Sequence, residues 1–556
     1  MWSLSVSTAT IAVATFVVVT AIRHFRSSLP LPPGPPARGL AGNAHQITTV
    51  EYWKLYQKWS ETHGPIIHYR IYKRRYIILN DIRSVLELLE VRSNKYSDRP
   101  QAWMYKELVG RKYAVFNISS QHERFRSYRK ILHAGLSTRA VPQYYTLFRD
   151  EADVLLQRLS ETPQDFVSHF RANLSSNSGA IIMKLAYGWT VLDNHDPFVR
   201  LMEDSFKLQS EITKPGRWLV DIFPILMEDR VTIVASVRFV PPWFPGGGFR
   251  RQAEVFRKEM NKVDVVPFEW AKKQIESGNY IPSFTSRYLL PEDGHPLSAE
   301  EEDIIKWCAG ALYAGGADTV CVLSAFHTRA LNIDATVAFM TAFIAAMMMY
   351  PDVQVRAQKE VDDYFGNQEI PKPEDQMSLP FVDALIKEVL RWAPPAPLGN
   401  CFFLIYYFTL IITLKVFLIR LSMLIATMVI TFPRVSQFLQ IFGRSLWIHC
   451  PEFVELTDIH PFEPGRYAET KRFFSVGERE GEFDPRKLVF GFGRRVCPGL
   501  VFAESAIFIN VCSILRRFNI EKVLDSNGVQ VTPNLEFTAT ITSHIKPFPC
   551  SIKERL

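Results

Sequence analysis

Read from the N-terminus, the chain opens with an uncharged stretch from Trp2 to Ile22, and its second half, Ile11–Ile22, is almost wholly apolar. Such a run is long enough to cross a bilayer. The positive residues follow it (Arg23, His24, Arg26). A cleaved leader carries its charge ahead of the apolar run, so this order predicts a retained anchor with a short lumenal N-terminus and a cytosolic body. Leu31-Pro-Pro-Gly-Pro-Pro36 then predicts a stiff, extended hinge, because prolines fix φ and bar a helix. Apolar and polar residues alternate over Ile66–Ile78, as in a strand. From about residue 80 onward, amphipathic helical patterns dominate, among them helices over Ser298–Thr319, Phe381–Trp392 and Leu500–Leu515.

These patterns predict a mainly α fold with a small β portion near its start. The boundaries are an anchor over 1–25, a proline-rich hinge over 26–45 and a catalytic body over 46–556. With 47% hydrophobic and 13% aromatic residues, the 556-residue chain has enough apolar surface for a large core. A net charge of +7 is mild at this length, and the basic residues are scattered, so no nucleic-acid partner is expected. The seven cysteines show no paired spacing, so neither a disulfide framework nor a zinc site is indicated. A reducing, cytosol-facing body fits them.

One cysteine stands apart. Phe490-Gly-Phe-Gly-Arg-Arg-Val-Cys-Pro-Gly499 sets Cys497 in a glycine-bracketed loop at the entry to an apolar helix. The glycines allow tight turns and close approach to a flat ligand. Unpaired N–H groups and the helix dipole are expected to favour a thiolate there. A thiolate is a soft axial ligand for haem iron, and Arg495 is placed to meet a haem propionate.

At Phe490, Gly493, Arg495, Cys497 and Gly499, the chain resembles the cytochrome P-450 family of haem-thiolate monooxygenases. The resemblance implies haem b with Cys497 as axial ligand, and it extends to other segments. Ala314-Gly-Gly-Ala-Asp-Thr319 resembles the family's distal helix, where Asp318 and Thr319 would deliver protons and Gly315 and Gly316 would make room for oxygen. Two glycines inside a helix cost about 1 kcal/mol each against alanine, so something is expected to pass close to the backbone. Phe125-Arg-Ser-Tyr-Arg129 resembles the helix whose basic residues, here Arg126 and Arg129, hold propionates; Phe125 replaces the usual tryptophan. Glu388-Val-Leu-Arg391 and Arg466 of Phe462-Glu-Pro-Gly-Arg-Tyr467 resemble a buried Glu–Arg–Arg clasp that supports the cysteine loop. The C-terminal Pro547–Arg555 resembles the closing β segment of fungal members.

The implied activity is insertion of one oxygen atom of O2 into a lipophilic small molecule, in fungal secondary or xenobiotic metabolism. No G-x-G-x-x-G fingerprint opens a βαβ unit, so electrons are expected from an NADPH-dependent flavoprotein reductase, with cytochrome b5 as a second donor. The implied location is the endoplasmic reticulum membrane, spanned once. A haem-thiolate isomerase or dehydratase would keep Cys497 but need no Asp318–Thr319 relay. A mis-spliced gene would keep the motifs and bind no haem.

The last alternative has a sequence basis. After Thr319 the family helix reaches its Tyr-Pro turn sooner than Tyr350-Pro351 does here. Cys321 can be encoded with an intron-opening GT, and Thr336-Val337 with a closing AG. Gly399-Asn400 and Lys415 can encode a second pair of intron ends around an apolar run. Shifting the frame after that run lets Val416–Ile419, Met428–Val435 and Ile441–Arg444 encode family-like residues. Residues 321–337 and 400–446 are therefore read as intron-derived or frame-shifted, and 416–446 are not expected to form the family's strands. The competing reading, a second membrane span at 401–414, is short for a bilayer and would divide the body between Arg391 and Arg466.

Overall fold

The computed structural model describes residues 30–39, 41–47, 52–71, 74–99, 102–171, 177–191, 196–213, 217–222, 247–291, 293–318, 335–366, 371–395, 446–449, 484–537 and 545–555. The expected anchor at 1–25 lies outside them. Among the described residues, no single helix is long and apolar enough to cross a membrane.

The proline stretch is extended and lies against the first strand. The His68 N–H donates to Pro33 O at 2.9 Å, and a Cβ on Gly34 would stand 1.7 Å from His68 O, so only glycine fits there. Asn43 fixes the turn that follows, donating to Pro35 O at 2.9 Å and accepting from the Arg70 N–H at 3.0 Å. The expected alternation resolves into an antiparallel hairpin, β1 (Ile66–Ile71) and β2 (Arg74–Leu79). Along β1 every second residue is buried (Ile67, Tyr69, Ile71), the signature of one core-facing side. On β2, Tyr76 through Leu79 are all buried, as befits a central strand. Its second neighbour is β3 (Leu446–His449), which runs parallel to it with Tyr76 opposite Trp447. β3 starts at the last residue of the segment not expected to form strands. A second pair, β4 (Phe518–Glu521) and β5 (Ser551–Glu554), is antiparallel and forms at the C-terminal segment expected to be β.

Helices make up most of the rest. Those that position the site are α1 (Glu123–Leu136), α2 (Asn177–Tyr187), α3 (Gly248–Glu276), α4 (Ala299–Asp318), α5 (Ala335–Met349), α6 (Pro351–Phe365), α7 (Pro380–Trp392) and α8 (Leu500–Arg517). α5 is apolar on every side, and Val337 through Met348 are all buried. Each of its larger side chains, such as Phe339 and Phe343, contributes about 1.5–3 kcal/mol by leaving water. The helix stops because Pro351 forces Tyr350 out of the helical region, to φ −128° and ψ 73°, and the same proline then opens α6. α5 packs on α7, α8, α6 and β4, whereas α4 packs on α2, α1 and α3. α8 buries Ile507, Phe508, Val511, Cys512, Ile514 and Leu515, and ends on Arg516 and Arg517, where cations suit the helix dipole.

Candidate haem-thiolate site

The loop before α8 is shaped by its glycines. Gly491 and Gly493 take φ of +79° and +51°, a region L side chains rarely adopt. A Cβ on Gly493 would also stand 2.5 Å from Leu89 O and 2.5 Å from Ser93 Cβ. The Gly493 N–H donates to Glu90 Oε2 at 2.6 Å, and the Cys497 N–H returns to Phe490 O at 2.8 Å, closing the loop on itself. Gly499 precedes the first residue of α8, so the sulfur of Cys497 stands at the helix entrance.

The protonation of that sulfur departs from expectation. Cys497 is open to solvent, yet protein crowds it closely enough that desolvation pushes its pKa above that of an ordinary thiol. The Gly499 N–H and the charge of Arg129 pull the other way without prevailing. The polypeptide alone therefore holds a thiol, because helix-end N–H groups are outweighed by desolvation. A bound metal ion removes the proton outright.

Arg126 and Arg129 stand on α1. Arg126 is exposed and Arg129 half-buried, and neither has a hydrogen bond or ion pair among the described residues. With Ser120, Phe125, Gly493 and Arg494 they line a cavity of about 320 Å³. Burial lowers the pKa of Arg129, while Cys497 opposes the shift. Arg495 is engaged differently. Its Nε donates to Ser97 O at 2.9 Å and its NH2 to Ile118 O at 2.5 Å; NH2 also lies 3.8 Å from Asp98 Oδ1. Its guanidinium carbon sits 4.8 Å from the centroid of the Phe125 ring. Burial brings its pKa to about 10, with Asp98 opposing and Arg129 reinforcing the shift. Arg495 thus clamps the 97–118 segment to the cysteine loop, a role that the expected propionate contact alone did not include.

On α4, the expected close approach is present at Gly315, where a Cβ would meet Phe116 Cζ at 3.3 Å. Asp318 is the last residue of α4; its side chain, and Thr319, lie outside the described residues. A second approach was not anticipated. A Cβ on Gly310 would stand 2.7 Å from Asp264 Oδ1 of α3. Asp264 is buried and paired with Arg111, which donates to it through NH1 and, at 3.3 Å, through NH2. Arg111 lies over the Trp307 ring at 4.8 Å, and Asp264 keeps it protonated against its burial. An acid on the apolar side of a helix and a glycine inside another were the signals available in the sequence.

Glu388 and Arg391 form the expected pair on α7. Arg391 Nε donates to Glu388 Oε2 at 2.8 Å and NH2 to Oε1 at 2.7 Å, with both residues fully buried. Arg466 lies outside the described residues. One more network, missed in the sequence, braces the cysteine loop from behind. Arg486 bonds Asp484 at 2.7 Å, reaches Asp383 of α7 at 3.2 Å and lies 3.6 Å from Glu504 of α8.

These residues fit a haem. A lone sulfur sits on a glycine loop, and among the described residues the two arginines on the adjoining helix have no carboxylate partner of their own, which leaves them for the two propionates.

The comparisons agree. The family model for cytochrome P-450 matches residues 32–234, 333–400 and 459–548. The matched segments contain Arg126, Arg129, Glu388, Arg391, Arg466 and Cys497, while Gly315, Asp318 and Thr319 fall between them. Similar curated proteins include cytochrome P-450 monooxygenase 208 of Postia placenta, 34% identical over 95% of this chain and 90% of that protein. Cytochrome P-450 monooxygenase claR of Ampulloclitocybe clavipes is 32% identical over 94% of this chain and 86% of its own. Cytochrome P-450 monooxygenase ppsD of Aspergillus oryzae is 30% identical over 94% and 89%. With its cysteine loop, its paired Glu388 and Arg391 and these relatives, the chain belongs to the cytochrome P-450 family of monooxygenases.

Proposed function

We propose that this chain binds haem b through Cys497 and inserts one atom of O2 into a lipophilic small molecule in fungal secondary or xenobiotic metabolism. The haem, when bound, supplies the dioxygen chemistry, and the protein supplies binding, orientation and protons. Arg126 and Arg129 hold the propionates, and Arg495 keeps the 97–118 segment closed over the loop. Phe116 packs on Gly315, on the helix that carries Asp318. Asp318 and Thr319 would hold protons and pass them on as donors. Electrons come from an NADPH-dependent flavoprotein reductase, with cytochrome b5 as a second donor. Residues 1–25 anchor the chain once in the endoplasmic reticulum membrane, with 26–45 as hinge and the body in the cytosol. The names and fungal sources of the relatives support this reading.

The observation that carries it is Arg129, half-buried beside Cys497 and without an anionic partner among the described residues. A carbon-monoxide difference spectrum of the reduced protein tests it. The far red-shifted Soret band of thiolate-ligated haem is expected, and Cys497→Ala should abolish it. The same band persisting in that variant would sink the proposal. NADPH consumption with reductase present separates oxygen insertion from isomerisation.

The second reading, a mis-spliced gene, is favoured by where the family match breaks: the gaps at 235–332 and 401–458 overlap 321–337 and 400–446. α4 is described as far as Asp318 and α5 from Ala335. Removing 321–336 would bring Val337 within about one helical turn of Asp318 and let one helix continue into the other. Transcript reads across both junctions decide it. Reads that retain both segments throughout would overturn it.

A further inference from the structure

Two buried polar atoms beside α4 have no hydrogen-bond partner among the described residues. Arg111, 7% exposed, directs NH1 and NH2 at Asp264 and leaves Nε unsatisfied. Tyr187, the last residue of α2 and 3% exposed, leaves its hydroxyl unsatisfied. The packing brings the two residues to the same place. Arg111 lies over Trp307 of α4, and Tyr187 shares an apolar cluster with Trp307 and Tyr313 of α4 and with Val263, the neighbour of Asp264 on α3. Just beyond Tyr187, the ring of Trp189 stands 4.6 Å from that of Trp270, which seats the end of α2 on α3. Burial, and then the charge of Asp264, pushes the pKa of the Tyr187 hydroxyl well up, so it stays neutral. Tyr105, the other polar group near Arg111, donates its hydroxyl to Gln209 Oε1 at 2.5 Å.

A buried donor without an acceptor is costly, and the chemistry of these two defines what would relieve them. The Arg111 Nε–H only donates, and a phenol hydroxyl donates or accepts, so a single oxygen atom can satisfy both. Arg111 and Asp264 cancel in charge, which favours a neutral group: a carbonyl, or a hydroxyl that can also donate to Asp264. The surrounding cluster is apolar, with Ile182, Met183, Val263 and Leu312 among its members, so the rest of the molecule is lipophilic.

The place of the pair along α4 gives it a role. Asp264 meets α4 at Gly310, and Phe116 meets it at Gly315. Five helical residues span about 7–8 Å, so the pair lies that far from the glycine expected to make room for oxygen. Segment 109–122, which carries Arg111 and Phe116, contains turns and no helix or strand, so it can part from α4 to admit a ligand.

We propose that Arg111 Nε and the Tyr187 hydroxyl together hold a hydroxyl or carbonyl oxygen of a neutral lipophilic ligand. That this ligand is the substrate rests on the function proposed above; the binding site itself does not.

The test uses the full chain, with Tyr187→Phe, which removes one hydroxyl, and Arg111→Lys, which keeps a cation opposite Asp264 but removes Nε. Calorimetry with 2-naphthol and 2-methylnaphthalene, which differ by a hydroxyl in place of a methyl group, gives one affinity ratio. In each variant that ratio should fall by about three- to tenfold, through weaker binding of 2-naphthol alone. An unchanged ratio in either variant, or no binding of 2-naphthol by the unmodified chain, overturns the proposal. Thermal melting gives a second readout. A hydroxyl without a partner stabilises nothing, so Tyr187→Phe should keep or raise Tm in the absence of ligand. A lower Tm with an unchanged ratio identifies a structural water in place of a ligand and also overturns it. Neither measurement uses haem or turnover, so failure of the haem reading stays distinguishable from failure here.

Discussion

The guanidinium of Arg495 lies over the ring of Phe125, 4.8 Å from its centroid, joining the helix that carries Arg126 and Arg129 to the loop that carries Cys497. The ring thus does mechanical work where an indole N–H is missing. A desolvated cation–π contact is worth about 2 kcal/mol, and leucine keeps most of the apolar bulk but loses the ring face. Phe125→Leu should therefore destabilise the protein by roughly 1–3 kcal/mol. Chemical denaturation would measure it, and no change would show that Arg495 is held by backbone carbonyls alone.

Among the described residues, Asp264 is the carboxylate partner of buried Arg111. Asp264→Asn leaves that guanidinium uncompensated and should cost about 3–5 kcal/mol. Replacing both, with Arg111→Met and Asp264→Leu, should restore much of the loss. A double variant as unstable as the single would refute the charge argument.

Gly310 has room for nothing beyond its hydrogen, since a Cβ would stand 2.7 Å from Asp264 Oδ1. Gly310→Ala gains about 1 kcal/mol of helix propensity but forces that carboxylate aside, for a net loss of roughly 1–2 kcal/mol. A rise in Tm would show that the carboxylate shifts without penalty.

Glu388→Ala strips Arg391 of its bidentate partner in a fully buried place, with an expected loss of about 3–5 kcal/mol. Limited proteolysis should open the chain near the cysteine loop before other regions. Unchanged cleavage would remove the clasp from the account of this fold.

Asp484 carries a pH signature. Burial raises its pKa, but the hydrogen bonds and charge of Arg486 outweigh that and leave it below the ordinary aspartate value. A depressed folded pKa contributes stability that is present above the unfolded value, about 3.9, and is lost as pH falls through the folded one. Asp484→Asn should thus be less stable than the parent at neutral pH, and the gap should close below about pH 4. A gap independent of pH would assign the loss to packing.

Much of this was legible in the chain because the signals are local. The hairpin at Ile66–Leu79, helix Pro380–Trp392 with its Glu388–Arg391 pair, and the glycine loop before Leu500 each follow from residues within a few positions of one another. What escaped depends on distant partners. Arg111 meets Asp264 across 153 positions, and Arg495 donates to Ile118 across 377, which no periodicity records. Cys497 as a thiol was also out of reach, since desolvation is a property of the folded surroundings and not of a motif.

The parallel pairing of Arg75–Ile78 with Leu446–His449 sets a schedule for biosynthesis. The hairpin emerges early from the ribosome with one edge of β2 unsatisfied, and its third strand is not translated until roughly four-fifths of the chain has been made. Throughout that interval the bare edge can recruit any passing strand, so the nascent protein depends on shielding by chaperones for most of its synthesis.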